Sequence, residues 1–228
     1  MKQDLVSIAF QFIAFLFALS VHESAHAWTA NRRGDPTARM LGRISLNPIR
    51  HIDPIGTVVL PLVAAFTGLT VLGWAKPTPV DPRNFRNPVL DDILTSVAGP
   101  VSNFIVATIA LVLLILIAVT SPLGHAVVVA VVSGQRGITG TILIPIVLLI
   151  FELMLINIVL AVFNLIPVPP LDGSHVIRHF LSDSARRVYD SVGIFGLLAL
   201  VYLGGGMISA LILPFIRFYF SVLAAFLK

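Results

Sequence analysis

The chain has 228 residues, of which 57% are hydrophobic and 11% are charged, whereas soluble proteins carry roughly 25% charged residues. A mean hydropathy of +0.98 excludes an ordinary water-soluble domain, and long apolar runs favour membrane-spanning helices. Because the chain has no cysteine, disulfides, thiolate metal sites and cysteine nucleophiles are excluded. The 15 Lys and Arg exceed the 11 Asp and Glu only slightly and form no basic run, so we expect no nucleic-acid partner.

The apolar stretches, in chain order, are 5–21, 55–72, 97–120, 138–168 and 192–216. Three of them reach the roughly 20 residues that a membrane span needs, whereas 55–72 is short and contains Pro61 and Gly68. The pattern predicts an all-α polytopic membrane protein with about four to six transmembrane helices. We expect a single domain, 1–228, with a core at about 7–180 and C-terminal helices at about 190–228.

Two polar linkers predict irregular structure beside the membrane. In the first, residues 41–48 alternate loosely and end at Pro48, which favours a short strand or hairpin between the first and second core helices. In the second, prolines at positions 77, 79, 82 and 88 exclude a helix and favour an extended segment.

The clearest motif follows the first apolar stretch, where residues 22–26 read His-Glu-Ser-Ala-His. Residues i and i+4 share one face of a helix, so His22 and His26 can offer imidazole nitrogens to one zinc ion. Glu23 beside them can act as a general base on water that the zinc acidifies. Ionisable side chains are costly in a membrane helix, so we predict a metal site rather than a polar gap.

Catalytic zinc usually has three protein ligands and an open position, so a third ligand is needed. The candidates outside the motif are His51, His125, His175, His179, Glu152 and the aspartates. The segment 164–173 is distinctive because three prolines end a long apolar helix there and place Asp172 at a rigid break.

An alternative metal site combines Asp172 with His175 and His179, which have i, i+4 spacing. Arg178 lies alongside and the segment is more polar, so we favour exposed histidines there.

Two features of the later apolar stretches have competing interpretations. Glu152, deep in 138–168, is either functional, paired with an amide such as Asn157, or reached by water. The glycines at 204–206 either serve as a gate for substrate or allow a kink or close helix packing, and we favour packing.

Three motifs together resemble the site-2 protease family of M50-type intramembrane zinc metalloproteases, in its short form without a PDZ domain. They are His-Glu-Ser-Ala-His at 22–26, Ala-Gly-Pro-Val-Ser-Asn at 98–103, and the segment 164–173 that ends in Asp-Gly. With Gly-Trp-Ala-Lys-Pro at 73–77, the resemblance covers about residues 7–180.

The resemblance implies that one Zn²⁺ per chain is held by three ligands: His22, His26 and Asp172. It also implies that Glu23 is the general base, and that Asn103 and Asn164 bind the substrate backbone or an oxyanion. The segment 41–48 is similar to the family's membrane-associated β-hairpin, which would pair with an unwound substrate.

The function implied by the resemblance is hydrolysis of peptide bonds in or near transmembrane segments of other membrane proteins, with membrane lipid as the surroundings. A rival hypothesis is a metal-ion transporter, which gives no reason for a glutamate directly after His22. A second rival is a catalytically silent relative that acts as a scaffold.

Helix directions predict the membrane topology. His26 and Asp172 both follow apolar stretches, so the two helices must run parallel if these side chains are to meet. We therefore expect 55–72 to be re-entrant or interfacial rather than a full crossing. An additional membrane crossing at 123–133 would also make the two helices run parallel, but that stretch is short.

Charge then predicts which face is cytoplasmic. The linkers 31–92 and 169–191 share one face and hold 11 of the 15 Lys and Arg, against Arg136 in the opposite loop. The positive-inside rule makes this face cytoplasmic. We expect an extracytoplasmic N terminus and an active site toward the cytoplasm of a prokaryotic cell.

Overall fold

The computed structural model of the protein describes residues 5–67, 74–135 and 140–227. The helices within these ranges are α1 Leu5–Arg33, α2 Thr37–Met40, α3 Leu60–Thr67, α4 Pro88–Thr120, α5 Pro122–Val132, α6 Leu143–Asn164, α7 Asp172–Arg178, α8 Asp183–Leu203 and α9 Gly205–Ala225. Short 3₁₀ helices cover Pro48–Arg50 and Pro82–Asn84, and a π-helical segment covers Pro54–Val59. The predictions for 68–73, 138–139 and Arg136 lie outside the described residues.

Four of the described helices, α1, α4, α6 and α9, are long and apolar enough to cross a membrane. They confirm the predicted all-α polytopic membrane protein, and α5, with 11 residues, is too short to cross as a single helix. The apolar stretch 192–216 does not form one span, because α8 ends at Leu203 and the crossing-length helix α9 begins at Gly205. The intervening Gly204 lies close to the preceding turn, where a β-carbon would be 2.5 Å from the carbonyl oxygen of Leu200.

Five of the described helical elements begin with the same sequence pattern, a capping residue followed by proline. Each begins at a proline whose preceding Asn, Asp or Ser side chain accepts a hydrogen bond from a backbone N–H of the first turn. Proline at the first helical position loses no hydrogen bond, and the capping oxygen satisfies an otherwise unpaired donor. The pairs are Asn47-Pro48, Asp53-Pro54, Asp81-Pro82, Asn87-Pro88 and Ser121-Pro122. Two of the four prolines expected to favour extended chain, at 82 and 88, therefore start helices instead.

Helices α1 and α6 run parallel. Near the start of α1 the Gln11 amide donates to the Glu152 carboxylate at 3.3 Å, and farther along His22 approaches Asp172 just beyond the end of α6. The two contacts occur in the same order along α1 and along α6, so the two helices run in the same direction. This is the arrangement that a meeting of His26 and Asp172 requires.

Helix α4 runs antiparallel to α1. Arg33 at the end of α1 lies 3.6 Å from Asp91 at the start of α4, whereas His22, earlier in α1, contacts Asn103, later in α4. The linker 34–87 therefore starts and ends at the same end of the bundle, as expected if 55–72 makes no single full crossing.

The largest fully buried apolar side chains lie where α4, α5, α6 and α9 pack together, among them Leu114, Val127, Met154, Ile158 and Leu223. Many apolar side chains on the outer faces of these helices are about half exposed, which lipid would cover rather than water. The core thus joins the helices on their inner faces and leaves polar residues clustered at one end.

The predicted β-hairpin at 41–48 is wrong, because this described segment contains turns and no strand. Gly42 has a φ of +67° and turns the chain. Ser45 then directs its backbone N–H and carbonyl to the hydroxyl of Ser24, and its carbonyl also accepts from the His51 ring. The backbone N–H and carbonyl of Ser45 are therefore already hydrogen-bonded to side chains and are not free to pair with a second strand.

Candidate metal centre

The H-E-x-x-H motif lies within α1, which continues unbroken from the apolar stretch to Arg33. No proline or glycine interrupts the helix before Gly34, so His22 and His26 lie one turn apart on its inner face. Both are buried, as is Glu23 between them, with exposed fractions of 5%, 8% and 8% in the order His22, His26, Glu23.

Asp172 reaches the same point from the other end of the sequence. It is the first residue of α7, which begins after the proline-rich turn that follows α6. The next residue, Gly173, packs so closely that a β-carbon there would lie 2.3 Å from the carbonyl oxygen of Leu165. Glycine at this position therefore allows α7 to fold back against the end of α6.

The three side chains form one compact group, which we call the primary cluster: His22, His26 and Asp172. The Nε2 atoms of His22 and His26 are 3.0 Å apart. Oδ2 of Asp172 lies 3.1 Å from the first and 3.4 Å from the second. Each residue offers one ligand atom to a common point, with all three atoms within 4.8 Å of one another.

Hydrogen bonds on the far side of each ring set the tautomers. Nδ1 of His22 donates to Oδ1 of Asn103 at 2.6 Å, and Nδ1 of His26 donates to the carbonyl of Thr95 at 2.7 Å. In the neutral rings both Nε2 atoms are then unprotonated, so two lone pairs face each other across 3.0 Å. A cation between them would remove this repulsion.

A buried amide pair fixes the orientation of Asn103. Its Nδ2 donates to the carbonyl of Ala18 at 3.2 Å and to Oδ1 of Asn157 at 2.7 Å, which leaves Oδ1 to accept from His22. Asn103 and Asn157 are both fully buried. Sequence reasoning missed this role of Asn157, which it treated as a possible partner of Glu152.

The space at the cluster depends on Gly99 of α4. A β-carbon there would lie 2.4 Å from Nε2 of His26 and 2.6 Å from Cε1 of His22. Glycine therefore leaves room exactly where the two rings converge. In addition, Oδ2 of Asp172 is buried without a hydrogen-bond partner among the described residues. The donor set and the space both fit a zinc ion bound by two imidazoles and one carboxylate.

The negative charge of Asp172 also suits the binding of a metal cation. Burial alone would raise the pKa of this carboxyl, but positive charge on the neighbouring His26 and His22 outweighs burial and holds the pKa below its ordinary value; with both rings neutral, a bound cation would supply that positive charge. The carboxylate is therefore ionised, as a metal ligand must be.

Glu23 faces a different segment from the two histidines. Its Oε2 accepts from the backbone N–H of Thr78 at 2.9 Å and from the Thr78 hydroxyl at 2.7 Å. Sequence reasoning did not identify Thr78, because it lies one residue beyond the motif-like segment 73–77 and belongs to no recognisable pattern.

The structure separates the two asparagines that were predicted to assist catalysis. Asn103 contacts His22 directly, whereas the Asn164 amide, at the end of α6, donates to the carbonyl of Leu160 one turn earlier. Their predicted contacts with substrate stay predictions. Glu152 bonds to Gln11 rather than to Asn157.

His175 and His179 face a different carboxylate from Asp172. Nε2 of His179 lies 2.7 Å from Oδ2 of Asp92, and Nδ1 of His175 lies 3.9 Å from the same oxygen. We call this group the second cluster: Asp92, His175 and His179. It links the end of α7 to the start of α4.

Comparison with known proteins places the chain in a family of membrane peptidases. The family model described as "Peptidase family M50" matches residues 10–204. The chain therefore belongs to peptidase family M50, the family that the three sequence motifs resemble. No solved structure matches the chain.

Two bacterial relatives illustrate the similarity. The chain is 38% identical over 192 residues to "Putative zinc metalloprotease YwhC" of Bacillus subtilis, covering 84% of this chain and 78% of that protein. It is 27% identical over 190 residues to "Putative zinc metalloprotease Rip2" of Mycolicibacterium smegmatis, covering 83% of this chain and 64% of that protein. The chain thus spans somewhat less than two thirds of Rip2.

Proposed function

We propose that this protein is an intramembrane zinc endopeptidase that hydrolyses peptide bonds in or near the transmembrane segments of other membrane proteins. The observation that supports this function best is the convergence of His22, His26 and Asp172. Two of these residues come from one helix and the third lies about 150 residues later, at the start of another helix. Glu23 lies directly beside them in the sequence.

His22, His26 and Asp172 would hold the metal, and zinc bound there would supply a Lewis acid that acidifies water and polarises the scissile carbonyl. Glu23 takes the proton of the attacking water and passes it to the leaving amine as the peptide bond breaks. Asn103 and Thr95 hold the two imidazoles in the tautomer that directs Nε2 inward.

The orientation of the protein in its membrane is part of the proposal. Most of the positive charge lies in the linkers 31–92 and 169–191, and the contacts of Arg33 with Asp91 and of His22 with Asp172 join the ends of these linkers where the primary cluster lies. By the positive-inside rule this end faces the cytoplasm. A reporter fused to the N terminus should then report an extracytoplasmic location, and a cytoplasmic signal would contradict this orientation.

The decisive experiment is co-expression with a panel of tagged single-span membrane proteins, comparing the natural chain with Glu23→Gln. We expect the variant to keep zinc and to lose cleavage, because glutamine preserves the shape of the side chain but cannot accept the proton. Glu152→Gln is the matched control, since it makes the same change at a buried intramembrane glutamate that bonds to Gln11, and we expect it to retain cleavage.

Two outcomes would argue against the proposal. Cleavage that persists in Glu23→Gln would remove the general base from the mechanism. Zinc binding without any Glu23-dependent product across a broad panel would favour a metal-ion transporter instead.

A further inference from the structure

The carboxylate of Glu23 is held by two donors from one residue. The backbone N–H and the hydroxyl of Thr78 both donate to Oε2, at 2.9 and 2.7 Å, and the hydroxyl also lies 3.1 Å from the backbone carbonyl oxygen of Glu23. Within the part of the chain that the structure describes, Oε1 of Glu23 accepts no hydrogen bond. The two donors therefore restrain one oxygen and leave the other to exchange a proton.

The chain just before Thr78 is anchored by a buried cation. Arg43 is only 5% exposed, and its guanidinium donates to the carbonyls of Lys76 and Pro77 at 2.7 and 2.6 Å. The N–H of Lys76 donates in turn to the carbonyl of His51 at 3.0 Å. These bonds fix the backbone immediately before Thr78.

The chain just after Thr78 is anchored by a buried anion. Asp35 is fully buried and accepts from the N–H of Asp81 at 2.8 Å and from the side chain of Asn84 at 2.9 Å. Burial alone would raise the pKa of Asp35, but these hydrogen bonds and those from Thr37 outweigh burial and lower it. An ionised side chain therefore holds the backbone on this side as well.

Because its two neighbours are prolines, Thr78 has the only backbone N–H in the segment 77–79. Pro77 and Pro79 flank it, and proline has no N–H and a restricted φ. The amide N–H that can reach Glu23 from 77–79 therefore belongs to Thr78, and the adjacent rings limit how far it can turn away.

We propose that Thr78 is a positioning residue for Glu23, which holds the carboxylate in the orientation that the proton transfer requires. The inference rests on the proposed function, in which Glu23 is the general base. A base acts efficiently only within hydrogen-bond reach of the proton it removes, and small displacements of a catalytic group reduce the rate strongly. Thr78 provides this restraint from a segment that is fixed on both sides.

The first test measures cleavage by purified Thr78→Val, which keeps the branched shape and the backbone N–H but removes the hydroxyl. With a tagged single-span protein that the natural chain cleaves, we expect kcat to fall by about 10- to 100-fold, as for loss of a hydrogen bond to a charged group. KM and zinc content should stay unchanged, and Thr78→Ser should restore most of the rate.

Thr57→Val is the matched control. The hydroxyl of Thr57 donates to the carbonyl of Trp74 at 2.7 Å and accepts from the N–H of Asp53 at 3.0 Å, so this variant weakens the anchoring of the same segment without touching Glu23. We expect its kcat to lie within about threefold of the natural value, because both lost hydrogen bonds join neutral groups that do not contact Glu23. An equal fall in both variants would overturn the proposal, because general loosening of the segment would then explain it.

The second test needs no protein substrate and uses acetohydroxamic acid, which chelates zinc and releases a proton to a neighbouring carboxylate. We expect Thr78→Val to weaken its binding to the zinc-loaded chain about tenfold when Glu23 is present, and to have no effect in Glu23→Gln. This dependence on Glu23 is a coupling that a purely structural role of Thr78 would not produce.

The outcomes separate the inference from the function on which it rests. If the hydroxamate does not bind in a zinc-dependent manner, the proposed function fails and the inference fails with it. If it binds but Thr78→Val has the same effect with or without Glu23, or none, only the role of Thr78 is overturned.

Discussion

The primary and second clusters have the same composition, two histidines and one aspartate, but different internal contacts. In the primary cluster each histidine donates through Nδ1 to an acceptor on α4, and the Nε2 atoms converge on Asp172. In the second cluster His179 contacts its carboxylate directly through Nε2, at 2.7 Å, and the His175 side chain is 46% exposed.

The difference shows that the second nitrogen of each imidazole decides what a His-Asp group can do. Where an outer acceptor accepts the hydrogen bond of the ring N–H, the inner nitrogen is left as a metal ligand. Where the aspartate itself accepts that hydrogen bond, the pair serves as a tertiary link. The link between His179 and Asp92 connects α7 to α4, and so supports the helix on which Asp172 lies.

The largest expected effect contrasts the two aspartates. We expect Asp172→Ala to weaken zinc binding by more than about 100-fold, beyond the usual effect of changing an outer partner, because the variant loses a direct ligand. Asp92→Ala should retain stoichiometric zinc, with a loss of affinity below about tenfold. Zinc content of the purified chains and competition with a chelator provide the measurement. Equal losses in the two variants would remove the distinction between the clusters.

An intermediate effect is expected from Asn157→Leu, which removes the nearer of the two acceptors of the Asn103 amide and so weakens the restraint that keeps Oδ1 toward His22. We expect zinc affinity and activity to fall by about 10- to 100-fold, as for other residues that orient a ligand. Gln11→Leu is the matched control, since it removes another, partly buried amide that bonds between two helices. The prediction is wrong if both variants bind zinc equally well.

The smallest effects separate the two histidines of the second cluster. His179→Ala removes a close hydrogen bond to a partly buried carboxylate, so we expect a loss of about 1 to 3 kcal/mol in stability. His175→Ala, at an exposed and more distant side chain, should change stability by less than about 0.5 kcal/mol. Thermal unfolding in detergent measures both, and a larger loss for His175→Ala would contradict the assignment.

Much of the site follows from local patterns in the sequence. The i, i+4 spacing of His22 and His26 is a property of any helix, and the hydrophobicity around them predicts that this helix is embedded in lipid. Asp172 was recognisable because a proline-rich break places one carboxylate at the end of an apolar helix. The spacing of motifs 22–26, 98–103 and 164–173 then identified the family.

The residues that support these groups could not be predicted in the same way. Asn157 and Thr78 are ordinary residues in an apolar helix and a proline-rich linker, and only their contacts with Asn103 and Glu23 distinguish them. The predicted hairpin failed for a similar reason, since alternation at 41–48 did not reveal that Ser24 would occupy the backbone of Ser45.

The sequence by itself therefore determined the membrane environment of this protein, its helical class and the residue types at its candidate metal centre. Hydrophobicity and helical periodicity depend on neighbours along the chain, so they can be read from it directly. Only the tertiary structure decided which acceptors orient the rings of His22 and His26 and which residue restrains Glu23. Those contacts join positions 55 to 81 residues apart, and the packing of α1, α4 and the linkers selects them.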